Sequence, residues 1–167
     1  MAWRRGHQSD RAALALADRH YSRTTPGSPK FMPPGRAVVL VDDAAPALWA
    51  CSWPKPELVR RAYPRSWFCT VFRREGGLPA SAMILEAIGL TRGIWGEPPE
   101  DGLVSIIDPT KVKPTKVRGK DVWGWTWLKA GFEPAGNAKK KRHLMIFRLP
   151  PERFPAAVAL ETHQLAS

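Results

Sequence analysis

His20, Tyr21 and Ser22 stand together in the stretch ADRHYSRTTPGSPKFMPPG, and Asp108 closes the apolar run LVSII just before Pro109. An imidazole can act as a general base and a phenol as a general acid. Imidazole, phenolate and carboxylate are equally a ligand set that suits iron or manganese more than zinc. Against this, His20 and Tyr21 could simply pack at a helix end, and Asp108 could only start a turn. Ser22 belongs to the same candidate centre. Ser22, Arg23 and Lys30 have the chemistry to hold a phosphate or a carboxylate. Glu97 and Glu100 in WGEPPED offer further carboxylates from a loop.

The elements that would position these groups follow from periodicity. A helix is expected from about Gln8 to Tyr21, capped by Ser9, with Asp10 at the positive end of its dipole. Ala13, Leu16, Ala17, His20 and Tyr21 fall on one face, so the last two residues continue the buried stripe. The loop Thr24–Gly35, with its four prolines and two glycines, is long enough to be functional. RAVVLVD and ALWACSW read as a hairpin, and SWFCTVFRRE as a third strand. PKPELVRRAYPR between them is a connection with room for one helical turn. A second helix begins near Pro79, with Met83, Ile84, Ala87, Ile88 and Thr91 on its apolar face. LVSII is a buried strand. Asp121 is positioned to cap a helix over VWGWTWLKA that Gly131 ends, and FEPAG with RHLMIFRL forms a closing hairpin. The tail from Pro150 has the composition for a terminal helix in FPAAVALETHQL. The strand–helix–strand crossover in the second half predicts a parallel pair in a mixed α/β sheet.

At 167 residues, 44% of them hydrophobic, the chain is expected to form a single domain over 1–167, with its sheet core at 36–149. No apolar run reaches the roughly 20 residues of a membrane span, and MAWRRGHQSDR lacks the apolar region of a signal peptide. Cys51 and Cys69 lie in apolar strands and read as reduced core residues, which implies a cytoplasmic protein. The formal net charge of +11 predicts polyanion binding, and the charge is clustered. Lys111, Lys113, Lys116, Arg118 and Lys120 form an acid-free run with the composition of a mobile, backbone-binding arm. Lys139, Lys140, Lys141 and Arg142 form a second cluster, and Arg4, Arg5 and Arg11 a third. Trp123, Trp125 and Trp127 alternate in a segment read as helical, so they cannot all be core, and one could stack on a base.

This order of elements resembles the GNAT (N-acetyltransferase) fold, best over Ser66–Leu149. SWFCTVFRREGGLPASAMILEAI is similar to the strand, glycine-containing turn and helix that grip the cofactor pyrophosphate in that family, and GWTWLKAGFEPAG to its last helix and following strand. The resemblance implies Arg73, Arg74, Gly76 and Gly77 as a cofactor turn. The family's Gln/Arg-x-x-Gly-x-Gly/Ala pattern ends here in Leu78 or Pro79, and Pro79 has no N–H to offer a phosphate. HYS after the first helix and an Asp after the central strand resemble the Mom-like phage DNA-modification proteins, which are GNAT-related. Those enzymes convert adenine in duplex DNA to an N6-carbamoylmethyl derivative that resists restriction. The resemblance implies His20, Tyr21 and Asp108 as the reactive centre, iron as a cofactor and double-stranded DNA as the partner. An acyl-CoA-dependent N-acyltransferase and a non-catalytic basic DNA-binding protein are the alternatives, and a homodimer is open.

Overall fold

A computed structural model describes residues 3–23, 25, 26, 28 and 31–160; Lys30 and the segment 161–167 lie outside the described residues. Among the described residues a seven-stranded sheet runs in the order β1-β2-β3-β4-β5-β9-β8. Its strands are β1 (Arg4–Arg5), β2 (Arg36–Asp42), β3 (Ala47–Trp53), β4 (Trp67–Arg74), β5 (Leu103–Ile107), β8 (Glu133–Asn137) and β9 (Met145–Leu149). The helices are α1 (Arg11–Asp18), α2 (Ala80–Trp95) and α3 (Trp125–Lys129), and a separate hairpin joins β6 (Thr115–Val117) to β7 (Lys120–Val122). The architecture is mixed α/β. Neighbouring strands are antiparallel except β4 and β5, which are parallel as the crossover through α2 requires.

The sheet is covered on both faces. On one side α1 packs Ala13, Leu16 and Ala17 against Val39, Val41, Leu48, Ala50 and Val71. On the other, Met83, Ile84, Ala87 and Ile88 of α2 meet Trp49, Cys51, Trp67 and Leu103. Cys51 and Cys69 are opposite each other in the β3–β4 ladder as free, buried thiols, in line with their reading as core residues. One residue on, the register shifts: Ala50 pairs with Val71, so Thr70 is the extra residue of a β-bulge. The bulge resets the alternation of β4. Trp67, Cys69 and Phe72 serve the α2 core, while Val71 turns to α1.

Several expectations are corrected. Helix α1 ends at Asp18, not Tyr21, and Asp10 rather than Ser9 caps it, its carboxylate accepting from the Ala12 N–H at 3.0 Å. The helix stops because its end is captured. Arg73 of β4 donates to the Arg19 carbonyl at 2.7 Å, and the Arg19 and His20 amides bond three residues back, in the tight 3-10 manner. His20 and Tyr21 therefore sit on the turn beyond the helix. The basic arm is an ordered hairpin in its inner half, and Asp121 lies in β7 rather than at a helix cap. Helix α3 starts at Trp125 behind Gly124, whose φ is 72°. A Cβ there would come within 2.3 Å of the Phe147 ring, so this approach of backbone to ring needs glycine. Residues 155–160 are not helical; Phe154 is buried against Trp67, and the Val158 N–H reaches the Gly89 carbonyl of α2. No helix among the described residues is long and apolar enough to cross a membrane.

Candidate active site

Strands β4 and β5 pair at Trp67 with Leu103 and Phe68 with Val104. Beyond these pairs a cavity of about 690 Å³ opens, walled by Cys69, Thr70 and Phe72 on one side and Ser105 to Asp108 on the other. His20, Tyr21 and Ser22 enter its lining from the turn after α1. The Tyr21 hydroxyl spans to β5, donating to the Ile106 carbonyl and accepting from the Asp108 N–H, both at 3.4 Å. Residues 87 positions apart in the chain thus share one site. Their link is phenol to backbone, not phenol to carboxylate.

The protonation states are set by burial and neighbours. Burial, and then the positive Arg73, push the His20 imidazole down to about 4. His20 is therefore neutral near pH 7. Its Nδ1 accepts from the Ser22 amide at 3.2 Å and lies 2.6 Å from the Ser22 hydroxyl, so the ring proton resides on Nε2. His20 offers the cavity a donor, not the base that its type suggests. The same His-x-Ser turn recurs at His7 and Ser9, where it only shapes the chain before α1, so the turn itself is local backbone chemistry. What sets His20 apart is its place in the cavity wall and its stacking on Tyr21, with ring centroids 4.5 Å apart. Burial raises the Tyr21 phenol above its ordinary value, so it too is a proton donor.

Asp108 is the ionised member. The Thr110 hydroxyl at 2.5 Å and amide at 2.9 Å hold its carboxyl below the usual range, assisted by nearby His143, when protonated, and by Lys111. Its second oxygen lies 3.6 Å from His143 Nε2. Neither Thr110 nor His143 is signalled by the sequence, because nothing in KKKRH marks that histidine as a neighbour of a strand end so far away. Trp125 and Trp127 both line the cavity, Trp127 as a buried core residue, and the Trp123 indole bonds the Val112 carbonyl at 3.3 Å.

The other expected residues divide. Arg73 and Arg74 line the cavity beside Ala80 at the start of α2, but Gly76 and Gly77 are not in its wall. Lys111 and Lys113 stand at its rim. Lys116 is paired with Asp121 at 2.7 Å, while Arg118, Lys120 and Lys139 to Arg142 are exposed. Arg23 is not available to a duplex: its side chain is 5% exposed and tied to Asp18 at 2.8 Å and to the Ser28 carbonyl. Arg4 of the N-terminal cluster is held between Asp10 and Asp43. Glu97 pairs with Arg92 and Glu100 with Arg65, away from the cavity.

The Asp108 carboxylate accepts from Thr110 and faces His143, and Tyr21 reaches Asp108 through its backbone amide. Among the described residues no group of three or more His, Cys, Asp or Glu side chains is arranged to hold an ion. The chain matches no family model, no curated protein and no solved structure.

Proposed function

We propose that the protein is a GNAT-like transferase that modifies a base of duplex DNA, with transfer to the adenine N6 amine in the Mom-like manner as the specific reading. The observation that carries it is the cavity at the β4–β5 opening, where neutral His20, protonated Tyr21 and ionised Asp108 meet under a basic rim of Lys111 and Lys113. A base extruded from a duplex would enter past phosphates held by that rim and stack on Trp125. His20 Nε2–H and the Tyr21 hydroxyl would donate to the transferred group, and Asp108 would hold His143 at the mouth. Mass spectrometry of nucleosides from DNA of cells expressing the protein tests the reading. A modified adenine that disappears with His20→Ala is the expected result; unmodified nucleosides in both would overturn it.

One observation favours a CoA-dependent N-acyltransferase as the second reading. Arg73 and Arg74 line the same cavity beside the N-terminal end of α2, a setting that suits an anionic cofactor. Calorimetry with acetyl-CoA separates the two, because binding is required by the second and not by the first.

A further inference from the structure

Hairpin β6–β7 breaks a local rule. Its two-residue turn, Arg118-Gly119, has φ values of 51° and 79° and is closed by the Val117–Lys120 pair. Turns with two positive φ values favour Asn, Asp or Gly at the first position, because a longer side chain there is sterically disfavoured. Arginine holds that position here, and the folded chain gives it no visible return. The side chain is exposed, and among the described residues no hydrogen bond or ion pair engages it, whereas neighbouring Lys116 is paired with Asp121. The ribbon itself is anchored at its base. The Trp123 indole bonds the Val112 carbonyl, and Thr115 forms part of the cavity wall. The apex thus presents an exposed, unengaged guanidinium on a defined backbone turn.

A two-stranded ribbon fits the major groove of B-form DNA, and the arginine fork matches the paired acceptors on the edge of guanine. We infer that hairpin β6–β7 enters the major groove of duplex DNA and that Arg118 contacts the base edges beside the base presented to the cavity. The inference rests on the proposed reading of the cavity as a DNA site. Lys120 and the exposed turn at Lys139–Arg142 then serve the flanking phosphates.

Arg118→Asn is the informative variant, because asparagine suits the turn better than arginine does. Its thermal midpoint is expected to stay level or rise. Its affinity for a fluorescently labelled DNA duplex at fixed salt is expected to fall roughly ten- to a hundred-fold. Wild-type affinity in this variant would overturn the inference. So would equal wild-type binding of duplex RNA, whose A-form major groove is too narrow and deep for a ribbon. Nucleoside analysis keeps the two proposals apart. Weakened duplex binding by Arg118→Asn, with unmodified DNA from wild-type cells, sinks base modification and leaves the groove contact standing. Modified DNA with undiminished binding by the variant sinks the groove contact alone. Absence of duplex binding by the wild type removes both.

Discussion

The Tyr21 hydroxyl lies 3.4 Å from the Asp108 amide nitrogen and 3.4 Å from the Ile106 carbonyl, tying the turn after α1 to the end of β5. Removing this hydroxyl separates its structural part from its chemical one. Tyr21→Phe keeps the ring stacked on His20 and loses two long hydrogen bonds, so stability should drop by only about 1 kcal/mol. If the phenol is the general acid, base modification should fall about a hundred-fold or more. A melting curve and nucleoside quantification together decide; modification at the wild-type level would release Tyr21 from the chemistry.

The depressed His20 imidazole makes a prediction about acid. Its folded value of about 4 lies below the ordinary 6.5, so the unfolded chain takes up a proton that the folded chain refuses. The stability contribution is present above pH 6.5 and is lost as pH falls from 6.5 towards 4. His20→Gln should flatten the pH dependence of urea unfolding within that window. An identical slope in variant and wild type would show that the imidazole titrates normally.

Gly124 is a packing prediction. Gly124→Ala drives a methyl into the Phe147 ring and places a side chain on a backbone with φ of 72°. A loss of about 2 kcal/mol or more is expected in denaturant unfolding. Since Gly124 also precedes Trp125 at the cavity, ligand binding should suffer with it.

The rim lysines should report through salt. The double replacement Lys111→Ala and Lys113→Ala should lower the slope of log affinity against log salt by about 2 for duplex DNA. Adding Lys116→Ala should change it less, because Asp121 already neutralises that ammonium. An unchanged slope in the double variant would remove the rim from the DNA surface.

Strands β2 to β5, β9 and helix α2 were legible because their apolar runs or periods are clear, and the parallel pair followed from the strand–helix–strand crossover, whereas β1, two arginines long, carries no such signal. Helix α1 was overextended because the apolar period does run on to Tyr21, while the event that stops it, Arg73 taking the Arg19 carbonyl, comes from a distant strand. Hairpin β6–β7 leaves little trace in the sequence because its strands are three residues long, highly charged and joined by a turn whose first residue is atypical. His143 was invisible for another reason: its partnership with Asp108 is created by the β5–β9 ladder, and short-range sequence pattern carries no trace of it.

The brief pairing of β4 with β5 has a consequence for how occupancy can be seen. Two strands that meet at Trp67–Leu103 and Phe68–Val104 and then part leave the cavity between them as an unfinished seam in the middle of the sheet. A molecule lodged there would stitch the α1–β4 half of the protein to the β5–β9 half. The melting temperature is therefore a direct gauge of filling, and candidate donors or bases can be ranked by the heat the seam withstands before any reaction is observed.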